Sequence, residues 1–167
     1  MIFVDEANVY YSLMEKDPKK RIDYMKFKDI LAKECHLVGP FIFMGKPRNV
    51  TDEQQKFYDY LRSAGYVILF GRVQRSKNGK RRQKGIDILI YQQIVELAEQ
   101  DSYDKCILVS GDGDFALVVE KLKELGKKVE IWSFMNSLSK KLIEKAGHKN
   151  IFFIDPILDD IEYVPDN

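Results

Sequence analysis

The chain has 167 residues, 45% of them hydrophobic and 32% charged, enough to bury the core of one domain and too apolar for a disordered chain. Its best apolar run, Tyr66 to Phe70, falls far short of the roughly 18 residues of a membrane-spanning helix, and Asp5 interrupts the N-terminal run too early for a secretory signal. Cys35 and Cys106 show neither metal-site spacing nor a disulfide framework. The composition therefore reads as a soluble protein of a reducing, cytoplasmic compartment with no membrane partner.

The net charge of +1 hides an asymmetry. Between Gly71 and Lys84 lie seven basic residues and no acid, while the remainder holds 20 basic against 26 acidic residues. A mildly acidic body with one basic strap suits a polyanionic partner, though a solvated loop gives the same pattern.

In chain order, Ile2-Phe3-Val4 predicts a buried strand, followed by a helix from about Asn8 to Lys16 that breaks at Asp17-Pro18. Met25, Phe27, Ile30 and Leu31 form the apolar side of a second helix over 23–33. Val38 to Met44 predicts a strand whose start or edge is marked by Pro40. Thr51 and Gln54 have capping-box spacing ahead of Phe57, Tyr58 and Leu61, and Gly65 stops that helix. Tyr66 to Phe70 predicts the next strand. Within the strap, Asn78-Gly79 predicts the tip of a small hairpin. Ile86, Ile90, Ile94, Leu97 and Ala98 lie on one stripe of a helix over 86–99. A strand over 106–109, a helix over 115–125, a strand over 129–132, a helix over 138–146 and a strand over 151–154 complete the alternation. The segment from Asp155 holds five acids and no base, and reads as a fraying acidic tail after a domain spanning 1–155. Strands alternating with helices, several of them unbroken apolar runs, predict a three-layer α/β/α sandwich around a mainly parallel sheet.

In such folds the functional crevice lies at the carboxyl ends of the strands. Asp5 ends the first strand, and Ser110-Gly111-Asp112-Gly113-Asp114 directly follows the strand ending at Val109. If those strands are neighbours, Asp5, Asp112 and Asp114 converge on one rim. Three carboxylates repel one another and favour a hard cation, Mg²⁺ or Mn²⁺. The alternative is structural: Asp114 caps the helix after it and Asp112 turns the chain. Asp87 lies in the first turn of its helix, where it faces the same rim or complements the helix dipole. Asn8 bonds a phosphate, orients a carboxylate or caps the next helix. Lys84 meets phosphate or belongs to the solvated strap. The tyrosines Tyr10, Tyr11, Tyr58 and Tyr60 read as packing rather than a base-stacking platform. Asp112-Gly113-Asp114 lacks the rest of a calcium loop.

Four pieces together resemble the NYN domain family, its LabA-like branch, within the PIN-like nuclease fold. They are Phe3-Val4-Asp5-Glu6-Ala7-Asn8, Lys84-Gly85-Ile86-Asp87, Ser110-Gly111-Asp112-Gly113-Asp114-Phe115 and Leu125-Gly126-Lys127-Lys128-Val129-Glu130. Their order and spacing match across roughly residues 1 to 155. The resemblance implies a metal-dependent ribonuclease whose catalytic and metal-binding residues are Asp5, Asp87, Asp112 and Asp114, with Asn8 alongside. One departure is Glu6, where the family often has glycine.

The sequence thus predicts a Mg²⁺- or Mn²⁺-dependent ribonuclease, an endoribonuclease acting on RNA. Asn8, Ser110, Lys80, Arg81, Arg82 and Lys84 are assigned to substrate contact. The alternative from the same fold is a non-catalytic RNA-binding module. A haloacid-dehalogenase-type phosphohydrolase fails on its first motif, because Ala7 stands where that chemistry needs a second aspartate.

Overall fold

Every residue of the first strand, β1 (Ile2–Asp5), is buried, because helices cover the sheet on both faces. The computed structural model describes residues 1–71 and 85–164, and the backbone alone of Gln74–Arg75 and Arg81–Arg82. After β1 come α1 (Glu6–Lys16), α2 (Tyr24–Leu31), β2 (Pro40–Gly45), α3 (Asp52–Ser63) and β3 (Val67–Gly71). The short strands β4 (Gln74–Arg75) and β5 (Arg81–Arg82) precede α4 (Ile86–Glu99) and β6 (Lys105–Val109). A 3₁₀ turn (Gly113–Phe115), α5 (Ala116–Glu124), β7 (Lys128–Ser133), α6 (Lys140–Ala146) and β8 (Ile151–Phe153) follow.

Six strands form one sheet in the order β3-β2-β1-β6-β7-β8, and every pairing in it is parallel. This is the doubly wound order, and the predicted α/β/α sandwich is borne out. Ile2 and Val4 pack with Val9, Leu13, Phe27 and Leu61 on one face. Phe3, between them, packs with Ile86, Ile90, Ile94 and Val119 on the other. Alternation persists, but both sets are apolar, so the strands read as continuous hydrophobic runs. Pro40 begins β2, an interior strand, at the one strand position where its missing N–H costs no ladder bond.

Local signals fixed most boundaries. The Thr51 hydroxyl accepts from the Gln54 amide at 3.2 Å, and the Gln54 side chain accepts from the Thr51 amide at 3.1 Å, completing the capping box of α3. Helix α1 starts at Glu6, two residues before its expected start, because Asp5 is both the last residue of β1 and the N-cap of α1. The strap forms the expected antiparallel hairpin, with Gln74 opposite Arg82 and Arg75 opposite Arg81; its Asn78-Gly79 tip lies outside the described residues.

Residues 155–164, expected as part of a fraying tail, pack onto the body. A 3₁₀ turn over Asp155–Ile157 leads to Leu158 and Ile161, both buried against the α1 and α2 side of the core. The Asp23 amide donates to the Ile161 carbonyl at 2.7 Å, and the Tyr163 amide to that of Arg21 at 2.9 Å. Apolar residues at 154, 157, 158 and 161 follow helical spacing and anchor the segment, while Asp159 and Asp160 are exposed and Asp155 accepts from Lys16 Nζ and the Met135 amide.

Candidate functional site

Strands β1 and β6 are neighbours, paired from Ile2 with Ile107 to Val4 with Val109. The helices that follow them, α1 and α5, cover opposite faces of the sheet. A crevice therefore opens between the carboxyl ends of β1 and β6, the topological switch point of the fold. The condition set by the sequence is met: Asp5 and the Ser110–Asp114 loop share one rim.

Asp5 is 5% exposed. Its carboxylate accepts a 3.0 Å hydrogen bond from the Ser110 hydroxyl and a longer one, 3.3 Å, from the Asn8 amide. Burial nevertheless dominates and pushes its pKa up to about 6; the two hydrogen bonds oppose the rise, and the charges of Asp87 and Asp112 add to it. Asp87, in the first turn of α4, is half-buried, and its pKa is raised by burial, then by Asp112 and Asp114. All four aspartates thus share one electrostatic neighbourhood. No side chain caps α4, so Asp87 also complements its dipole.

The loop after β6 is tied down from several sides. The Gly111 amide donates to Asn8 Oδ1 at 2.9 Å, and the Gly111 carbonyl accepts from the Ser139 amide at 2.9 Å. A Cβ on Gly111 would fall 2.3 Å from the Ser137 carbonyl oxygen, so only glycine fits this close approach. The capping roles differ from those expected: Asp112, not Asp114, caps, its carboxylate accepting from the Asp114 amide at 2.9 Å, and Asp114 is exposed. Asn8 acts as a clamp on the loop. Ser110, assigned to substrate contact, is 1% exposed; its hydroxyl donates to Asp5 and accepts from the Asp112 amide at 3.2 Å, which orients the cluster.

The basic strap is rooted beside this rim. A Cβ on Gly71, the last residue of β3, would lie 2.4 Å from Ile86 Cγ1, so the chain leaves and rejoins the body against the first residue of α4. Lys80 and Lys84 lie outside the described residues, as do the side chains of Arg81 and Arg82.

Among the described residues, no three His, Cys, Asp or Glu side chains form a ready-made metal cage. The donor chemistry still fits a hard cation. Magnesium commonly takes one or two carboxylates and keeps its remaining positions for waters and substrate phosphate.

Glu6 turns the other way. Asp5, at the end of β1, shares the face of Phe3 toward α4, whereas Glu6, the first residue of α1, lines a cleft of about 1450 Å³ between α1, the end of β2 and α3. Burial, then the charge of Asp5, pushes the Glu6 carboxyl up to about 7. Tyr24 and Tyr58 are close enough for its charge to raise their own pKa values. Reading along the chain missed this cleft, because its walls come from segments tens of residues apart.

A family model described as the NYN domain matches residues 1–154. The chain is 27% identical over 150 residues to the low amplitude and bright protein LabA of Synechococcus elongatus, covering 84% of this chain and 76% of that protein. A 54-residue stretch is 37% identical to the uncharacterized protein y4oD of Sinorhizobium fredii, covering 32% of this chain and 25% of that protein. The crystal structure of VPA0982, a protein of unknown function from Vibrio parahaemolyticus, superposes with a TM-score of 0.80 at 29% identity, covering 97% of this chain and 94% of that one.

Proposed function

Because the chain belongs to the NYN domain family, whose members are generally nucleases, we propose that it is a Mg²⁺- or Mn²⁺-dependent ribonuclease that cleaves RNA internally. The observation that supports this reading is the placement of Asp5 and the Asp112–Asp114 turn on adjoining strand ends at the switch point, joined through Ser110. The Asp5 carboxyl is pushed up to about 6 by burial and by neighbouring carboxylates, a negative site that a bound cation would relieve.

Asp5, Asp87, Asp112 and Asp114 would hold one or two cations. When bound, such a cation supplies Lewis acidity for in-line hydrolysis at phosphorus and lowers the pKa of the attacking water. The chain's own residues prepare the site. Ser110 fixes one oxygen of Asp5, and Asn8 holds the Gly111 loop against α1. Asp112 shapes the turn that presents Asp114 to solvent. The basic strap, beside the same rim, would track the phosphate backbone.

The test is incubation of the pure protein with end-labelled RNA in Mn²⁺, Mg²⁺ or EDTA. Internal cleavage with metal and none in EDTA supports the reading. RNA binding without cleavage in any metal would assign the chain to the non-catalytic binding module instead.

A further inference from the structure

We infer that the cleft between α1 and α3 seats one unstacked nucleotide of a single-stranded RNA and that Glu6 reads its base as guanine. This deepens the proposed function and rests on its reading of the chain as an RNA-handling protein.

Glu6 lies on the floor of the cleft, and among the described residues no hydrogen bond or ion pair engages its carboxylate. Glu6 is only partly exposed, and its oxygens face the open cleft, where a ligand with two aligned donors can take the place of water. Tyr24 and Tyr58 are buried in the walls, while Tyr10 and Tyr11 stand 44% and 58% exposed along one side. Aromatic side chains around an open cleft are the usual stacking surfaces for unpaired bases. On the opposite rim, Lys46, Arg48 and Lys56 are exposed and make no ion pair among the described residues, although most other lysines of the body do. Glu6 is the one acid among the described lining residues, so the cleft's charge favours a polyanion.

The identity of the base follows from hydrogen-bond chemistry. Guanine presents N1–H and N2–H side by side, and both can donate to the two oxygens of one carboxylate. Adenine and cytosine offer one amino group beside an acceptor nitrogen that repels the carboxylate. Uracil offers one N–H flanked by two carbonyls.

The test is fluorescence anisotropy in EDTA, using labelled oligouridines of about eight nucleotides. The central position carries guanine, adenine, cytosine, uracil or an abasic site. Wild-type protein is expected to bind the guanine oligomer roughly tenfold tighter than the others. Glu6→Ala should erase that preference, whereas Lys46→Ala with Arg48→Ala should weaken all oligomers alike. Equal affinity of the wild type for the four bases would overturn the assignment, with no variant required. An unchanged preference in Glu6→Ala would overturn it as well. Binding is read without divalent metal. Equal affinities, or no binding, with Mn²⁺-dependent cleavage intact would therefore sink the guanine assignment alone, whereas no binding in EDTA together with no cleavage in Mn²⁺ would overturn both readings.

Discussion

The Ser110 hydroxyl donates to the Asp5 carboxylate across 3.0 Å, joining two strand ends 105 residues apart in sequence. The same oxygen accepts from the Asp112 amide at 3.2 Å. One buried hydroxyl therefore sets the geometry between the aspartate of β1 and the first aspartate of the β6 loop.

Replacing Ser110 by Ala removes both bonds and leaves a buried carboxylate oxygen and an amide short of partners. The expected cost is about 1–3 kcal/mol of stability, read by urea denaturation. Metal-dependent RNA cleavage is expected to fall with it, while far-UV circular dichroism stays native. Unchanged activity in Ser110→Ala would show that Asp5 needs no such orientation.

Asp112→Asn and Asp114→Asn are each expected to abolish cleavage with the fold intact. Asparagine caps about as well as aspartate, so the turn at Asp112 survives. Asp114 is exposed, and its substitution is expected to alter stability by no more than about 0.5 kcal/mol. Circular dichroism checks folding and labelled RNA checks activity. Full cleavage by both variants would remove them from the site.

The fold was legible because the chain carries its elements in local signals: the capping box at Thr51, the stripe over 86–99, the unbroken run before Ser110. The placement of Asp5 and Asp112 on one rim was expected from the rule that functional crevices lie at strand ends, and β1 beside β6 meets its condition. The bond from Ser110 to Asp5 was not legible, because its partner is remote in sequence and a serine opening a glycine-containing loop reads as a hydroxyl facing ligand. The segment after Asp155 was misread because its five acids masked the helical spacing of Ile154, Ile157, Leu158 and Ile161. Glu6 was noticed, but its direction depends on the chain passing from strand to helix at Asp5, a boundary expected two residues later.

Asp5 gives stability a defined pH dependence in metal-free protein. Below its ordinary value of 3.8 it is protonated in both folded and unfolded states. Above about 6 it is ionised in both, and the folded state bears the full cost of the buried charge. Stability is therefore lost as pH rises from about 4 to about 6, by at most about 3 kcal/mol from this residue. Asp5→Asn keeps the cap and lacks the titration. Urea melts in EDTA from pH 4 to 7 should show the variant gaining on the wild type across that window; a constant difference would contradict this assignment.

The strap makes a salt-dependent prediction. If about four of its seven basic residues touch single-stranded RNA phosphates, log affinity falls with log salt at a slope of about −2.8, roughly 50-fold from 50 to 200 mM. Replacing Lys80, Arg81 and Arg82 by Ala should flatten the slope by about 2. An unchanged slope would make the strap a solvated loop.

The most direct measurement is thermal melting of wild type and Asp5→Asn above pH 6, in EDTA and in Mn²⁺. A cation that binds the folded rim alone stabilises by RT ln(1 + [M]/Kd), about 1.4 kcal/mol at ten times Kd. The account predicts that Asp5→Asn melts at or above the wild type in EDTA, where repulsion has been relieved, and gains less from Mn²⁺. An Asp5→Asn protein that melts lower in EDTA, with an undiminished Mn²⁺ response, would show that the Asp5 charge stabilises the metal-free fold and would contradict the aspartate cluster as a metal site.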